Sequence, residues 1–322
     1  MTTQRPRILQ ALGLLPWLEK QLNEAYDVTR LPPAGPEREA FLAARGGEFE
    51  ALVTSAAAGA SHALLDALPN LRVVSSFGVG LDQIDPAHAA RRGIPVGYTP
   101  DVLNDCVADL AFGLLLDIAR RLSEGDRYVR AGQWVAKPPV AFPLGRRVSG
   151  AKLGIVGLGR IGQTIAKRSQ GFDMEVRYHS RRPVAGVPWG YEASLHDLAR
   201  WSDFLVVITA GGAGTRHLVD ASVLDALGTK GFLVNVARGT VIDEAALVKA
   251  LQGKRIAGAA LDVFEFEPEV PSELFTLDNV VMVPHIASAT AQTRQAMGQR
   301  VLDNLACFFA GKPLLSAAPV EA

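Results

Sequence analysis

Cysteine is scarce in this sequence, with only Cys106 and Cys307 among 322 residues. Two cysteines cannot form a disulfide framework, so we expect both as buried packing residues of a protein in a reducing compartment, by default the cytoplasm. Histidine is also sparse, and the closest two of its six copies, His179 and His196, lie 17 residues apart. No pair has the spacing of zinc ligands, so no metal site is predicted.

No charge of one sign dominates the chain. Its 33 Lys and Arg residues balance 33 Asp and Glu residues, so no large field favours nucleic acid or an anionic membrane as a partner. The most apolar stretch, Val107–Ala119, is interrupted by Asp109 and Asp117 and is too short to span a bilayer, which predicts a buried helix. The polar start, Met1–Arg7, lacks the apolar core of a signal peptide.

The chain has instead a regular alternation of short β-type runs and helix-length segments. With 322 residues, of which 48% are hydrophobic and 20% charged, it matches about two globular domains. The alternation predicts parallel sheets with helical crossovers. The first hundred residues contain four predicted strands: Arg7–Leu12, Ala51–Thr54, Leu71–Phe77 and Ile94–Tyr98.

A second series of strands begins at Lys152, after a long helical segment from about 104 to 133 and a connector rich in Pro and Gly at 137–150. Its six predicted strands are Leu153–Gly157, Glu175–His179, Phe204–Thr209, Gly231–Val236, Ile256–Leu261 and Val280–Val283. Six strands are the number in a full dinucleotide-binding sheet. The last helix, about Ala289–Phe309, has no strand after it, so it is predicted to pack on a first domain built from both ends of the chain.

The first strand of the second series runs into a G-x-G-x-x-G motif formed by Gly157, Gly159 and Gly162. The first glycine permits a tight turn, the second lets the backbone approach a pyrophosphate, and the third lets the next helix pack closely on the strand. That helix offers free N–H groups, those of Arg160 and Ile161 among them, to negative charge. A strand, this motif and a helix in that order predict a dinucleotide site.

The end of the second strand in this series indicates which dinucleotide binds. A site for NAD usually has Asp or Glu about 20 residues after the glycines. Here Glu175–His179 is followed by Ser180, Arg181 and Arg182, with no carboxylate at the tip of the strand. Because a guanidinium matches the geometry of a 2′-phosphate, the sequence favours NADPH over NADH. A solvated basic turn is the alternative.

Polar residues follow three later strands, in the segments Asn235–Thr240, Leu261–Pro268 and Val283–Ser288. Since ligands bind outside the carboxyl ends of the strands in a doubly wound sheet, these segments are predicted to converge on one crevice.

Three side chains in these segments match the needs of carbonyl reduction. Arg238 supplies a cation for a carboxylate or a developing alkoxide. His285 is a proton donor, and Glu267, 18 residues before it, can hydrogen-bond the imidazole and favour its charged form. Each has an ordinary structural explanation by itself, as a core histidine or as part of a surface ion pair. Together they predict a catalytic group.

Six segments, in this order, are typical of one family: Val73–Asp82, Thr99–Leu103, Gly157–Gly162, Val236–Thr240, Leu261–Pro268 and Pro284–His285. Over nearly its whole length the chain resembles the D-2-hydroxyacid dehydrogenase family. Within that family it is most similar to the glyoxylate/hydroxypyruvate reductase branch, which includes the plant-type hydroxyphenylpyruvate reductases.

The resemblance implies two doubly wound α/β domains. A Rossmann NADP-binding domain, residues 101–286, would be inserted in a flavodoxin-like substrate domain formed by residues 1–100 and 287–322. The implied activity is NADPH-dependent reduction of a small 2-keto acid, such as glyoxylate or hydroxypyruvate, to the D-2-hydroxy acid. Arg238 and His285 would bind this substrate, Glu267 and His285 would form the acid/base pair, and the Val79 and Gly80 amides would hold its carboxylate in an anion-binding nest.

The resemblance also implies cofactor contacts and an assembly. Ser180 and Arg181 would hold the 2′-phosphate, Asp262 would hold the nicotinamide carboxamide, and Val236 is a further cofactor position. A homodimer is implied, with the helix at 107–119 and the connector around Trp134 at its interface.

The chain departs from the family in two places. The segment 208–212 lacks the proline that many members have after this strand, and Lys137 lies where some glyoxylate reductases present a tryptophan to the partner subunit. The preferred keto acid therefore stays open, with bulkier acids such as hydroxyphenylpyruvate as an alternative. A nucleotide-sensing binding protein like the family's corepressors is a second alternative. The intact Arg238, Glu267 and His285, and a tail of only a few residues after Pro313, disfavour it.

Overall fold

The computed structural model describes residues 5–135 and 141–320, and Lys137 lies outside these ranges. The chain forms two compact units, of which the first combines Met1–Leu103 with Thr290–Ala322 and the second is Asn104–Ala289. Each unit contains a parallel sheet with helical connections, which confirms the predicted fold class. No helix within the described ranges is long and apolar enough to cross a lipid bilayer.

The first unit has a five-stranded sheet in the order β2-β1-β3-β4-β5, which is the flavodoxin-like order. Its strands are β1 (Arg7–Gln10), β2 (Asp27–Arg30), β3 (Ala51–Ser55), β4 (Val73–Phe77) and β5 (Val96–Gly97). Its α-helices are Pro16–Ala25, Pro36–Arg45, His62–Asp66, Pro86–Arg91 and Ala291–Phe309, with a short 3₁₀ helix at Gly46–Glu48. All residues of β3 and β4 are buried, as expected for central strands covered on both faces.

The prediction of four strands in this unit missed β2. The residues of Asp27–Arg30 are exposed or half-buried, and the strand pairs with β1 at the edge of the sheet. An edge strand of polar residues has no alternating apolar pattern. It forms through backbone hydrogen bonds to its neighbour, and these cannot be recognised from the side-chain pattern of the sequence.

The helix Ala291–Phe309 lies against β4, where the Ser75 hydroxyl donates to the Val301 carbonyl at 3.3 Å. The segment after this helix pairs with the free edge of β5, and the Ala318 N–H donates to the Val96 carbonyl at 2.7 Å. Both ends of the chain therefore contribute to the first sheet.

The second unit has a seven-stranded parallel sheet in the order β12-β11-β10-β9-β6-β7-β8. Its strands are β6 (Lys152–Val156), β7 (Glu175–His179), β8 (Gly190–Tyr191), β9 (Phe204–Val207), β10 (Phe232–Asn235), β11 (Gly258–Leu261) and β12 (Val280–Met282). Its α-helices are Asn104–Arg120, Leu122–Arg130, Arg160–Ser169, Leu195–Trp201, Ala221–Leu227 and Glu244–Gln252. Short 3₁₀ helices lie at Gln133–Val135, Gln170–Phe172, Ala213–Thr215, Gly239–Val241 and Ser272–Thr276. The six predicted strands are present, and the missed one, β8, has two exposed residues at the sheet edge.

The helical segment predicted from 104 to 133 is two helices. Arg121 interrupts it with a left-handed backbone, at a φ of 57°. The helix Asn104–Arg120 buries its apolar face against its own sheet, as predicted for the stretch at 107–119. In the next helix, Leu122 and Val129 are 56% and 52% exposed.

The cysteines differ from expectation in one respect. Cys106 and Cys307 are free thiols, but both are partly exposed, so the prediction of buried packing was wrong. Each lies on a long amphipathic helix beside, rather than within, the buried face.

The strand order of the second sheet reverses between β6 and β9, since β7 and β8 extend one way and β10 to β12 extend the other. On one face of the sheet, Leu205 and Leu233 join a core with helix residues such as Leu198 and Leu224. The opposite face is covered by the helix Asn104–Arg120. The loops after β6 and β9 therefore separate at a switch point, which is where doubly wound sheets bind their ligands.

Candidate active site

The glycine-rich turn after β6 has the geometry that a pyrophosphate requires. Gly157 has a φ of +100°, and a Cβ there would lie 2.8 Å from the Thr209 backbone. A Cβ at Gly162 would strike the carbonyl oxygen of Gly157, so the helix can lie this close to the turn only with glycine at that position. A Cβ at Gly159 would meet nothing within 4 Å. Gly159 therefore faces open space, as a backbone approached by a ligand must.

The helix Arg160–Ser169 begins directly at this turn, with Gly159 as its N-cap and no side-chain cap. Arg160 and Ile161 are its first two residues, so their N–H groups have no carbonyl acceptor within the helix. The backbone N–H groups of the first turn and the positive end of the helix dipole favour an anion at this point. The turn and helix together fit the pyrophosphate of a dinucleotide.

The end of β7 lies next to the same turn, because the Gly157 N–H donates to the His179 carbonyl at 2.9 Å. Ser180 follows, and its hydroxyl donates to the Arg182 carbonyl at 2.6 Å. Arg181 and Arg182 are exposed. This corner of the crevice therefore carries two guanidinium groups, and no carboxylate lies between His179 and Arg182.

The loop after β10 holds Arg238. The buried Asn235 ends the strand, and its side-chain amide donates to the Arg238 carbonyl at 3.1 Å. A Cβ at Gly239 would strike the Phe264 carbonyl group, so only glycine lets this loop pass beside the segment after β11. The close passage brings the Arg238 charge near enough to Glu267 to lower the pKa of that carboxyl.

Val236 and Asp262, the predicted cofactor residues that follow β10 and β11, are both buried. Val236 donates its N–H to the Val207 carbonyl at 3.2 Å. Asp262 accepts the Ile286 N–H at 2.6 Å and the Ala287 N–H at 3.1 Å. Burial raises the pKa of Asp262, and these amide hydrogen bonds oppose the shift. Asp262 therefore holds the loop after β12 in place, and its contact with a nicotinamide stays a prediction.

His285 and Glu267 meet where the loops after β12 and β11 approach each other. The imidazole Nδ1 lies 2.7 Å from Glu267 Oε2, and the two side chains are 44% and 35% exposed. Since the pair uses Nδ1, Nε2 is the ring nitrogen that can face a substrate. The other carboxylate oxygen, Oε1, accepts the Phe264 N–H at 3.1 Å.

The electrostatics of Glu267 favour its charged form. Burial acts to raise the pKa of this carboxyl, but the hydrogen bond and charge of His285, the Phe264 amide and the charge of Arg238 outweigh it. The net result is a pKa below the ordinary value. Glu267 is therefore an ionised hydrogen-bond partner for the His285 ring.

The backbone of His285 has a φ of +53°, a left-handed conformation that residues other than glycine seldom adopt. The His285 N–H donates to the Asp262 carbonyl at 2.8 Å, which helps to hold this conformation. Backbone in such sparsely populated regions is concentrated at functional sites.

The predicted carboxylate nest lies in the first unit, directly after β4. Gly78 has a φ of +147°, and its N–H donates to the Thr99 hydroxyl at 3.1 Å. The next two residues, Val79 and Gly80, are half-buried. Within residues 5–135 and 141–320, neither of their amides donates to another residue. The sequence placed these residues in a loop, and their binding role stays a prediction.

The second unit thus brings together Arg238, Glu267 and His285. Sequence reasoning missed the contributions of Asn235 and Glu265 to the same loops. Asn235 had a usable signal, because a polar residue that ends an apolar strand often binds the following loop. Glu265 had none, since nothing in the sequence distinguishes it from an exposed acidic residue.

The glycine-rich turn and the imidazole–carboxylate pair follow strands of the same parallel sheet, an arrangement that defines a nicotinamide-dinucleotide-dependent oxidoreductase. The family model for the NAD binding domain of D-isomer specific 2-hydroxyacid dehydrogenases matches residues 112–287. The chain therefore belongs to the D-isomer specific 2-hydroxyacid dehydrogenase family, as the sequence motifs predict.

Individual relatives match almost the full length of the chain. Glyoxylate/hydroxypyruvate reductase A of Arabidopsis thaliana is 47% identical, over 96% of this chain and 97% of that protein. Hydroxyphenylpyruvate reductase of Plectranthus scutellarioides is 44% identical, over 96% and 99%. Among solved structures, an NADPH-dependent glyoxylate/hydroxypyruvate reductase from Sinorhizobium meliloti, in complex with NADP and malonate, matches with a TM-score of 0.91. It is 42% identical and covers 98% of each chain.

Proposed function

We propose that this protein reduces small 2-keto acids with NADPH, converting glyoxylate to glycolate and hydroxypyruvate to the D-2-hydroxy acid. The observation that carries the proposal is the 2.7 Å contact between His285 Nδ1 and Glu267 Oε2, on the sheet that bears the glycine-rich turn. Relatives 47% and 42% identical to the chain are glyoxylate/hydroxypyruvate reductases, which supports this choice of substrate.

NADPH, when bound, supplies the hydride. His285 holds a proton at Nε2 and passes it to the carbonyl oxygen of the keto acid, which becomes the hydroxyl of the product. Glu267 orients the ring through Nδ1 and stabilises its charged form before the transfer. Arg238 stabilises the substrate carboxylate or the negative charge that develops on the carbonyl oxygen.

The preference for NADPH is assigned to Ser180, Arg181 and Arg182 at the end of β7. Two guanidinium groups can make charge-assisted hydrogen bonds to a 2′-phosphate, whereas the 2′-hydroxyl of NADH offers them no charge. The NADPH-dependent relative that was crystallised with NADP supports this assignment. Gly157, Gly159, Gly162, Arg160 and Ile161 are assigned to the pyrophosphate.

The nest for the substrate carboxylate is assigned to the first unit, and cofactor binding, together with the substrate contacts of Arg238 and His285, is assigned to the second. The Val79 and Gly80 amides form a nest for the substrate carboxylate. In this division, residues 1–100 and 287–322 form the substrate domain, and residues 101–286 form the NADP-binding domain.

A second candidate function is the reduction of bulkier keto acids such as hydroxyphenylpyruvate. It is favoured by the Plectranthus scutellarioides relative, which is a hydroxyphenylpyruvate reductase and 44% identical. The acid/base group is the same for both candidates, so the difference lies in the room for the substituent beyond the keto group.

The proposed assembly is a homodimer in the cytoplasm. The support for a dimer is the apolar surface at 122–135, where Trp134 is 71% exposed. The helix Asn104–Arg120, included in the interface by resemblance, already buries its apolar face within its own unit. The interface proposed here therefore centres on the residues after Arg121.

The test of this function is a panel of glyoxylate, hydroxypyruvate and hydroxyphenylpyruvate, each with NADPH and with NADH. We expect the two smaller acids with NADPH to give the highest kcat/KM, followed through the absorbance of the reduced nicotinamide. Pyruvate is a matched control for the hydroxyl group of hydroxypyruvate. Chiral chromatography of the product formed from hydroxypyruvate tests the D configuration, since the product of glyoxylate is achiral. An L product or the absence of turnover with every acid contradicts the proposal.

A further inference from the structure

Glu265 follows Phe264 in the loop after β11, two residues before Glu267, and the proposed reaction gives it no role. Its side chain is only 7% exposed. Arg216 Nη2 donates to Glu265 Oε1 at 2.6 Å, and His217 Nε2 lies 3.0 Å from the same oxygen. A nearly buried carboxylate with a charged donor at this distance is held much more firmly than one in an exposed ion pair.

The backbone of Glu265 is held as well. Its N–H donates to Glu244 Oε2 at 3.1 Å, and the preceding N–H, that of Phe264, donates to Glu267 Oε1 at 3.1 Å. Two consecutive amides are therefore fixed by two carboxylates, one of which is the partner of His285. The Phe264 N–H, on which the position of Glu267 depends, and the Glu265 N–H belong to adjacent peptides, so a displacement of the backbone at Glu265 would also displace the donor to Glu267.

The groups that hold Glu265 come from two other loops at the same edge of the sheet. Arg216 and His217 lie in the loop after β9, and Glu244 begins the helix that follows β10. These two loops are themselves joined, because the His217 N–H donates to the Thr240 carbonyl at 2.8 Å. Glu265, in the loop after β11, connects all three.

We propose that Glu265 is a positioning residue for the proton transfer, a role that rests on the proposed function. By binding Arg216 and His217 it fixes the peptide at Phe264, which in turn fixes Glu267 Oε1 and the orientation of the His285 ring. The residue acts through Glu267 and does not touch the substrate.

The test compares Glu265→Gln with Glu269→Gln, an exposed glutamate in the same segment that serves as the matched control. Glutamine keeps an acceptor oxygen but removes the negative charge, so the hydrogen bond from Arg216 is no longer between two charged groups and the peptide at Phe264 loses part of its support. We expect kcat to fall roughly 10-fold to 100-fold in Glu265→Gln, as for a small misplacement of reacting groups. The KM for the keto acid and the Kd for NADPH stay unchanged, and Glu269→Gln has the kcat of the wild type.

A double-mutant cycle with Glu267→Gln separates positioning from general destabilisation. If Glu265 acts through Glu267, the Glu265→Gln change causes no further loss of kcat once Glu267 is replaced. Independent losses that multiply would overturn the proposal, as would a Glu265→Gln enzyme with normal kcat.

Arg216→Ala provides a second variant should Glu265→Gln fail to fold, since the Arg216 side chain is 53% exposed. It removes one donor from the same carboxylate, so we expect a smaller fall in kcat that is likewise absent in the Glu267→Gln background. A normal kcat in Arg216→Ala together with an unfolded Glu265→Gln would overturn the proposal. If the wild type and Glu269→Gln reduce no keto acid, the proposed function and this inference both fail. If they are active and Glu265→Gln equals them, only the inference fails.

Discussion

His285, the proton donor of the proposed reaction, is held through both its backbone and its ring. The His285 N–H donates to the Asp262 carbonyl, and the ring contacts Glu267 at 2.7 Å. Both anchors belong to the segment after β11, so the orientation of the imidazole is established by folding. Groups that are oriented before the substrate binds need no reorganisation during the reaction.

Replacement of this residue tests the acid/base assignment. In His285→Asn we expect kcat to fall at least about 100-fold, the usual contribution of general acid catalysis, while the Kd for NADPH is unchanged. Steady-state kinetics and titration of NADPH fluorescence measure the two quantities. His196→Asn, an exposed histidine on the helix Leu195–Trp201, is the control and keeps its activity. Normal turnover by His285→Asn would refute the assignment.

The two arginines after β7 test the choice of cofactor. In the double variant Arg181→Ala/Arg182→Ala we expect the KM for NADPH to rise by about 10-fold to 100-fold, the equivalent of one charge-assisted hydrogen bond. The KM for NADH stays the same, because NADH has no 2′-phosphate. Arg200→Ala, an exposed arginine outside this corner, controls for the loss of positive charge. Equal changes with both cofactors would contradict a phosphate-binding role.

Glu244 gives a prediction for the pH dependence of stability. Burial raises the pKa of this carboxyl; the Glu265 amide opposes the shift and the charge of Glu265 adds to it. The folded protein therefore binds the proton more tightly than the unfolded chain, and ionised Glu244 lowers stability at neutral pH. We expect Glu244→Gln to raise the Tm at neutral pH, whereas Glu273→Gln, exposed on the 3₁₀ helix Ser272–Thr276, leaves it unchanged.

The sign of this effect follows from the direction of the pKa shift. As the pH falls through the raised pKa toward the ordinary value for Glu, the wild type takes up the proton and gains stability. The difference in Tm between Glu244→Gln and the wild type should therefore shrink over that range. Thermal unfolding followed by circular dichroism measures it, and a difference that grows on acidification would contradict the argument.

Among the elements, the turn between β6 and the helix Arg160–Ser169 contains two glycines, Gly159 and Gly162, that are needed for different reasons. Gly162 makes room for the backbone of the turn itself, and Gly159 leaves space toward the ligand. One position therefore governs folding and the other governs binding, although both belong to the same motif.

Two alanine variants separate these roles. Gly162→Ala forces a Cβ against the Gly157 carbonyl, so we expect a loss of roughly 1–3 kcal/mol in the free energy of unfolding, typical of overpacking. Gly159→Ala meets no protein atom within 4 Å, so its stability is unchanged while its affinity for NADPH falls. Chemical denaturation and fluorescence titration provide the two measurements. Equal losses of stability in both variants would contradict a folding role for Gly162 and a binding role for Gly159.

At the scale of the whole molecule, the main unexplained surface is apolar. Leu122, Val129 and Trp134 are exposed within one stretch of the second unit, and single chains seldom leave such a group of large apolar side chains in water. A second copy of the chain is the partner that the proposed function assigns to this surface.

The oligomeric state tests this assignment. By size-exclusion chromatography with light scattering we expect a dimer for the wild type and a monomer for Leu122→Asp/Val129→Asp, because buried charges without partners oppose association. Leu315→Asp changes an equally exposed leucine in the first unit and should remain a dimer. A monomeric wild type would exclude the dimer.

Most elements of the molecule were predictable because their signals are local. The central strands β3, β4, β6 and β9 are short runs of mostly apolar or small residues, a composition typical of strands covered on both faces. The edge strands β2 and β8 were missed because they are short, polar or exposed. The break at Arg121 was missed because a left-handed arginine leaves no compositional trace.

The sequence by itself determined the family and the dinucleotide motif, and it predicted Arg238, Glu267 and His285 as the catalytic group, since each of these depends on residue type and spacing along the chain. Only the tertiary structure decided that Nδ1 of His285 meets Glu267, that Asp262 is occupied by two amides, and that Glu265 joins three loops. These contacts connect residues from separate loops. Their distances depend on how neighbouring strands end at one edge of the sheet, which no local pattern records.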